Sequence, residues 1–450
     1  MSTLNVDKVD PSSGTALELG TSGDTITVPT GAGLTVVDEV KTNKVSPATG
    51  TAFALGDSGD TFTVPSGATI VNSGTATGFG ITAASFLPNA NPIIINGNMV
   101  VAQRAVSKTG QTASGFETCD RVQFVANDAG TWTIIQETQT TGSAYDNGLK
   151  EAYRIDCTTA DASVAADSAL FLKYKMEGFD VQEFKKGTTN AETYTLSFWV
   201  KSNVTGTGQV NMRDETNNRM CSATYTTDVT NTWEKKVLNF AADTSGPSAC
   251  TNAEALAIEW WVAAGTDYSS GTAPTAWETI ANTDRAAAVT LALSGSTSND
   301  FSITGVQLEV GTYTSSTIPP FQFENYGTSL QRCKRYYQMI ASGAVQGTDG
   351  GYTERLGGGY FHTNIDFFFD VRLVVELRAN PSLETVMGTD YVVINKGGGS
   401  DSSDNVQSYT SSTYNILTLK CSDNVSGTQG EGGQAMVGNS AARVAVDAEL

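Results

Sequence analysis

Histidine, the side chain that most often carries acid–base and metal chemistry near neutral pH, occurs once in the 450 residues, at His362. One imidazole excludes every metal site or mechanism that needs two from a single chain. A Ser-His-Asp arrangement would have to be built on this residue alone. His362 therefore has three interpretations: a hydrogen-bonded polar residue, a residue on a trimer axis, or a metal ligand donated once per subunit.

Carboxylates are plentiful but form no recognisable catalytic pattern. Glycoside hydrolysis needs two carboxyl groups at a defined separation, and no local pattern singles out a pair. The acidic loops 401–404 (DSSD) and 127–128 (ND) carry oxygen ligands of the kind that calcium prefers, yet they lack EF-hand spacing. We therefore expect a protein that is not an enzyme and has no metal centre or cofactor, with a structural calcium ion left open.

The charge balance argues against two classes of partner. The chain has 47 acidic and 27 basic side chains, a formal net charge of −20, which repels nucleic-acid phosphates and anionic lipid. No run approaches the ~18 uncharged apolar residues of a membrane span. The six cysteines are widely spaced without a C-x-x-C pair, which favours free buried thiols.

Aromatic side chains are the strongest candidates for ligand binding. A ring face can stack on the C–H side of a pyranose while neighbouring planar polar groups bind its hydroxyls. In the strand that follows residue 252, alternation places Trp260 toward the core and Trp261 outward, beside Glu259. Trp261 is therefore either a sugar platform or a ring packed under a loop or a sister subunit.

A second aromatic group occurs near the C-terminal end, in or beside loops rich in Gly, Ser and Thr. Loops on a rigid β scaffold often carry recognition, and tyrosine makes amphipathic contacts with little rotamer entropy to lose. We predict that this group is the first candidate contact site for a receptor or glycan. Its members are Tyr352, Tyr360, His362, Tyr409 and Tyr414.

The N-terminal part of the chain contains an internal repeat. Residues 9–32 and 45–68 align without gaps, and 16 of the 24 pairs are identical. Each copy is too short and too polar to bury a core alone, and two copies are fewer than a solenoid needs. We predict that residues 1–88 form a stalk or anchor whose apolar faces pack against those of sister chains.

The remaining sequence predicts an all-β fold. Short alternating strands such as 194–200, without intervening helical patterns, predict an antiparallel jelly-roll sandwich over residues 89–326. The sequence TSLQ at 328–331 has the form of a capping box and predicts a short helical connector over 327–341. Glycine-rich loops separate the strands of 342–450, which we expect to be a small β-sandwich tip.

Four stretches of the chain resemble tail-fibre proteins of tailed bacteriophages. The first is NPIIINGNM at 91–99, followed by Gln103-Arg104 and Asp120-Arg121. The second comprises MEG at 176–178, TLSFWVKS at 195–202 and TWEKK at 232–236. The third and most specific joins ITGVQLEVG at 303–311 to QRCKRYY at 331–337. The fourth comprises VELRANP at 375–381 and DAEL at 447–450.

The resemblance implies a homotrimeric virion appendage, assembled in the bacterial host cytoplasm. Its proximal end, residues 1–88, would dock on the phage tail or an adaptor protein, and its distal end would contact a host surface glycan or protein. The central jelly roll would be similar in shape to carbohydrate-binding modules. Where this family often has Phe-Glu-His-Arg, the present chain has Asn325 after Glu324. Two alternatives stay open: a passive fibre or adaptor without receptor contact, and a virion-associated polysaccharide depolymerase.

Overall fold

The computed structural model describes residues 92–161, 163–343, 354–409 and 414–450. These residues belong to one compact unit that spans 78–450. The predicted stalk or anchor, with its repeat, and Tyr352 lie outside the described residues. Within them the fold is all-β and every strand pairing is antiparallel, as the sequence predicts.

The first half of the described chain is a sandwich of two six-stranded sheets. One sheet has the order β1-β3-β4-β12-β6-β9, and the other has the order β11-β8-β7-β10-β5-β2. The strands are β1 (Ser107–Gln111), β2 (Val122–Asn127), β3 (Thr131–Thr138), β4 (Glu151–Thr159), β5 (Ala169–Glu177), β6 (Tyr194–Ser202), β7 (Gly206–Asp214), β8 (Arg219–Thr227), β9 (Glu234–Phe240), β10 (Glu254–Ala264), β11 (Glu278–Thr279) and β12 (Asp300–Val310).

The sandwich core confirms the alternation that predicts its central strands. In β6, Tyr194, Phe198 and the other residues of the same face have no solvent-exposed surface. The ring of Phe198 meets Trp260 of β10 edge-on, with centroids 6.1 Å apart. Because successive side chains of a strand point to opposite faces, one apolar residue in two is enough to fill the space between the sheets.

The described helices are short: α1 (Ser143–Asp146), α2 (Thr266–Ser269) and α3 (Tyr326–Lys334). The side chain of Asn325 caps α3 by accepting a hydrogen bond from the Gly327 amide at 2.9 Å. The predicted capping box at 328–331 is therefore misplaced, because Asn325 is an equally good N-cap and comes first. The helix also ends at Lys334, so residues 337–341 of the predicted connector are strand.

No helix in the described ranges is long and apolar enough to cross a bilayer.

The second half forms a smaller β domain from two sheets of unequal size. The three-stranded sheet has the order β13-β22-β16, and the seven-stranded sheet has the order β18-β17-β21-β14-β15-β20-β19. The strands are β13 (Tyr337–Ser342), β14 (Arg355–Thr363), β15 (Asp366–Arg372), β16 (Ser382–Val386), β17 (Val392–Lys396), β18 (Gly399–Ser403), β19 (Gln407–Ser408), β20 (Ile416–Cys421), β21 (Gly432–Val437) and β22 (Arg443–Asp447).

An ionic junction holds the two halves together. Arg104 donates to Asp447 at 2.8 Å and lies 3.7 Å from the ring centre of Tyr337. Arg121, which is 1% exposed, pairs with Glu449. Ion pairs and cation–π contacts both require a defined geometry. Together they fix the orientation of the distal domain relative to the sandwich.

The same junction contains several charged residues of the motifs that resemble tail-fibre proteins. Arg335 makes two parallel hydrogen bonds to the carboxylate of Glu177, at 3.0 and 2.8 Å. Arg378 donates to the carbonyl oxygens of Ala448 and Asn252, at 2.6 and 2.8 Å. These charged residues therefore have a structural role in this chain: they join the sandwich to the distal domain.

Candidate functional site

The candidate site is built on neighbouring strands of the distal seven-stranded sheet. Strands β14 and β15 pair with Tyr360 opposite Phe368 and Phe361 opposite Phe367. Phe361 and Phe367 are fully buried in the distal core, whereas Tyr360 is 49% exposed. The period of two in a strand thus sorts a run of aromatic residues into a buried set and an outward set.

The outward set forms a continuous aromatic ridge. His362 stacks on Phe368 with ring centres 4.8 Å apart and planes 11° apart. Phe368 also contacts Tyr409, with centres 4.8 Å apart, and Tyr360 meets His362 edge-on at 6.3 Å. The Tyr409 amide donates to the carbonyl of Thr418 in β20 at 2.9 Å, which places this tyrosine beside the ridge.

Beside the ridge lies a cleft of about 360 Å³ with a partly glycine-lined wall. A Cβ atom added to Gly359 would come within 1.9 Å of the Phe368 carbonyl oxygen, so only glycine allows this close approach of strands. A Cβ atom at Gly358 would have only the Gly433 carbonyl within 4 Å, at 3.9 Å. The cleft therefore owes its depth to the missing side chains, including that of Gly358.

One polar pair accompanies the aromatic side chains in the cleft. Thr418 donates from Oγ1 to Oδ1 of Asp370 at 2.8 Å, across the β15–β20 pairing. Asp370 is the one charged residue among the described residues that line the cleft. An exposed carboxylate held in place beside exposed rings can accept hydrogen bonds from the hydroxyls of a ligand.

The structure separates the predicted tyrosine and histidine group into three sets. Tyr360, His362 and Tyr409 come together in the cleft. Tyr414 is 43% exposed but does not line it. Tyr352 lies outside the described residues, so its place relative to the cleft stays a prediction.

The prediction of an exposed platform at Trp261 and Glu259 is wrong. Trp261 does lie on the outer face of its sheet, but it is 0% exposed and stacks on Phe171 at 4.2 Å. The segment that follows β10 covers it through Tyr268 and Arg285, which confirms the alternative of a ring packed under a loop.

Glu259 is equally buried and belongs to an ion network. It accepts from Arg285 at 2.9 Å, from Arg213 at 3.3 Å and from the Trp261 indole nitrogen at 3.0 Å. Burial would raise the pKa of this carboxyl, but Arg285, Arg213 and Lys173 outweigh it and hold the pKa below its usual value. Glu259 therefore stays ionised as a structural group without access to ligand.

Sequence reasoning missed the middle of the site. Phe368 and Asp370 lie within a stretch expected to be strand, and alternation from Phe367 would have placed both on one face. No face was assigned because three phenylalanines in a row, 367–369, hide the period of two.

A larger cleft, of about 580 Å³, lies near the start of the described chain. It contains one exposed aromatic side chain, Phe179, and its basic residue Arg332 is already bonded to Glu324 and to the carbonyl of Pro92. This cleft is the weaker candidate for a sugar site, because its described lining has a single exposed ring and its one basic residue, Arg332, already has partners within the protein.

The acidic loops do not form a metal centre in the described residues, where no group of three or more His, Cys, Asp or Glu is placed to hold an ion. Asp401 accepts hydrogen bonds from the amides of Ser402 and Ser426, at 3.0 and 2.6 Å. The nearest cation is Lys396, whose Nζ lies 3.8 Å from the carboxylate. Residues 401–403 belong to β18 and are not a loop, and the Asp401 carboxylate is bonded to these backbone amides.

Comparisons with known proteins return structural neighbours but no family. No protein-family model and no curated protein sequence matches the chain. One neighbour is the enzymatically active domain of tailspike protein 4 from bacteriophage CBA120, at 11% identity and a TM-score of 0.24. The match covers 49% of this chain and 21% of that one, so the chain spans about a fifth of the tailspike chain.

Two further neighbours are sugar-binding proteins by description. A protein of Bacteroides thetaiotaomicron described as sugar binding shows 13% identity and a TM-score of 0.26, with coverage of 49% of this chain and 100% of its own. A family 11 carbohydrate-binding module of Clostridium thermocellum, in complex with a mixed-linked tetrasaccharide, shows 10% identity and a TM-score of 0.23, with coverage of 47% and 99%. At these scores the neighbours assign no function to this chain.

Proposed function

We propose that the protein is a non-enzymatic, trimeric virion appendage of a tailed bacteriophage that binds a host surface glycan through the distal aromatic cleft. The observation that carries the binding role is the outward-facing aromatic ridge of Tyr360, His362, Phe368 and Tyr409 beside the Asp370–Thr418 pair. The motifs shared with tail-fibre proteins support the virion role.

The chemistry of the cleft suits a sugar better than an apolar ligand. Exposed ring faces offer an apolar surface to the C–H side of a pyranose, and Asp370 offers an acceptor for its hydroxyls. The wall at Gly358 lets a flat ring approach the backbone of β14. These three features occur together on one face of one sheet.

Binding without hydrolysis is favoured because the cleft is lined by a single carboxylate among the described residues. Retaining and inverting glycosidases generally use a pair of Asp or Glu residues on either side of the scissile bond. Asp370 alone can accept hydrogen bonds from a sugar, but the described lining of the cleft has no second carboxylate to act as the general acid or the nucleophile.

Trimer formation would strengthen weak sugar contacts. Three clefts in one particle raise the effective concentration of the second and third sites once the first is occupied. A particle made of chains with a net charge of −20 would not adhere non-specifically to an anionic cell envelope, so attachment would depend on specific contacts.

The test is a binding assay of the full chain on purified surface polysaccharides and host cells, with variants of the ridge. We expect Tyr409→Ala and Phe368→Ala to weaken binding about tenfold, a loss typical of removing a stacked ring. Tyr326→Ala is the matched control, because Tyr326 is 57% exposed but lies on α3.

Two outcomes would overturn parts of the proposal. Ridge variants that bind as well as Tyr326→Ala would exclude the cleft as the glycan site. A monomeric mass of the full chain by light scattering would exclude the trimer, and release of reducing ends from the bound polysaccharide would replace the binding role with that of a depolymerase.

A further inference from the structure

Beyond the aromatic cleft, the outward face of β15 carries a basic residue, Arg372. The outward residues of β15 are Asp366, Phe368, Asp370 and Arg372, and the last of these pairs in register with Ile416 of β20. Arg372 and Ile416 are both exposed. One face of two adjacent strands thus presents an aromatic platform, a carboxylate and then a guanidinium.

Arg372 differs from the arginines of the junction in having no partner within the described part of the chain. Arg104, Arg121 and Arg335 each pair with a carboxylate, whereas no Asp or Glu of the described residues lies within 4.0 Å of the Arg372 guanidinium. An uncompensated guanidinium beside a ligand cleft is notable in a chain with a net charge of −20.

The charged groups nearest along the same face are one carboxylate, Asp370, and the Lys420–Asp366 ion pair. Asp370 accepts from Thr418, and its Cα lies about 7 Å from that of Arg372 by the rise of two strand residues. At the other end of the face, Lys420 lies 3.8 Å from Asp366. Among the outward residues of β15, Arg372 is therefore a cation that remains available to an anionic ligand.

We infer that the cleft takes an acidic polysaccharide, with one sugar ring on the aromatic ridge and the carboxylate of a neighbouring uronic acid on Arg372. This inference rests on the proposed glycan-binding function and names its ligand class. Phe368 and Arg372 are about 14 Å apart along the strand, a span longer than a single pyranose. The ligand that reaches both is a chain of sugars lying along β15 and β20.

Arginine suits this role because its planar guanidinium matches a carboxylate with two parallel hydrogen bonds. Neutral sugar hydroxyls would use its donors but not its charge. Arg372 thus determines the preference for acidic over neutral polysaccharides. The aromatic ridge provides the part of the affinity that both kinds of polysaccharide share.

The experiment uses the full chain and a panel of purified bacterial surface polysaccharides, some neutral and some containing uronic acids. Each acidic polymer is also tested after chemical reduction of its carboxyl groups, which gives a neutral polymer with the same linkages. We expect the bound polymer to contain uronic acid and to lose about tenfold in affinity on reduction, as for the loss of a charge-assisted hydrogen bond.

Variants assign this preference to Arg372. Arg372→Gln should weaken binding of the native acidic polymer about tenfold and leave binding of the reduced polymer unchanged. Arg372→Lys should restore part of the difference, because it keeps the charge and loses the planar fork. Lys108→Gln is the control, since Lys108 is an exposed basic residue on β1 of the sandwich, away from the cleft.

The outcomes separate this inference from the proposed function. A bound polymer that is neutral, or an Arg372→Gln variant that binds native and reduced polymers as the wild type does, overturns the acidic ligand while the cleft stays a glycan site. Loss of binding in Tyr409→Ala with no effect of Arg372→Gln leads to the same conclusion. Binding of no polymer in the panel, or binding unaffected by the ridge variants, overturns both.

Discussion

Arg121 and Glu449 form an ion pair across 328 residues of sequence, with only 1% and 4% of their side chains exposed. Arg121 also lies 3.4 Å from the ring centre of Tyr336 and donates to the carbonyl of Lys175 at 2.6 Å. This pair joins the sandwich to the end of the distal domain, and so it helps to hold the aromatic cleft in a fixed direction.

Removing one member of this pair should destabilise the protein strongly. Arg121→Met leaves Glu449 buried without its main partner, and we expect a loss of about 3–5 kcal/mol in the free energy of unfolding. Lys185→Met is the control, because the Lys185–Glu192 pair is 53% and 38% exposed and should contribute about 0–1 kcal/mol. Urea unfolding of both variants measures the difference. Equal losses would contradict a buried, structural role for Arg121.

Two neighbouring glycines should respond in opposite ways. Gly358→Val places a side chain in open cleft space, so we expect normal stability and loss of glycan binding. Gly359→Ala would bring its Cβ within 1.9 Å of the Phe368 carbonyl, so we expect a lower melting temperature. Calorimetry and the polysaccharide assay, run on both variants, check this. A Gly358→Val protein that binds normally would show that the ligand does not enter the cleft.

Asp120 should make stability depend on pH in a defined window. Burial raises the pKa of this carboxyl from 3.8 to about 6, although Gln103 donates to it and Arg104 lies near. The pKa of Asp120 is higher in the folded protein than in the unfolded chain, so the folded state binds the proton more tightly. Protonated Asp120 therefore stabilises the fold fully below pH 4, and this contribution is lost as pH rises to about 6. A pKa difference of about 2 corresponds to about 3 kcal/mol.

The variant Asp120→Asn isolates this effect from the other carboxylates. We expect the unfolding free energy of the wild type to fall relative to that of the variant between pH 4 and pH 6, and the difference to level off above that range. Urea unfolding at several pH values provides the measurement. Parallel pH profiles for the two proteins would exclude the assigned titration.

Trp261 should matter for stability and not for binding. Its ring has no exposed surface and packs between Phe171 and Tyr268, so Trp261→Ala should cost about 3–5 kcal/mol through loss of packing. The folded fraction should bind polysaccharide as the wild type does. Reduced affinity in folded Trp261→Ala, with normal affinity in a second core variant such as Phe171→Leu, would restore Trp261 as a contact residue.

The cysteines should differ sharply in reactivity. Cys250 is exposed, whereas the other five are buried, and burial raises the pKa of thiols such as Cys119 well above the usual value. Because the thiolate is the reactive form, the native protein should react with one equivalent of Ellman's reagent and the unfolded protein with six. Cys250→Ser should abolish the native reaction, and a second fast-reacting thiol would show that the core opens.

Periodicity by itself determined much of the fold. Alternation in 194–200 and in the strand around Trp260 located two central strands and identified the faces that meet between the two sheets. This works because a strand has a fixed period of two and one face of each sheet must be removed from water. The helical connector was predicted to begin at 327, one residue after the helix starts, but the end of the helix was not predicted, since local spacing does not reveal that Tyr337 pairs with Asp447 in a sheet.

Only some residues of the candidate site could be predicted from the sequence. Composition indicated that Tyr360, His362 and Tyr409 occur in a region suited to recognition, because loops rich in small residues rarely bury large rings. Only the pairing of β14, β15 and β20 placed Phe368 among them and aligned Asp370 with Thr418. Trp261 shows the converse, since alternation gave its face correctly but the segment that follows β10 covers that face. The sequence determines which way a side chain points from its strand, whereas the tertiary structure decides what else lies on that side.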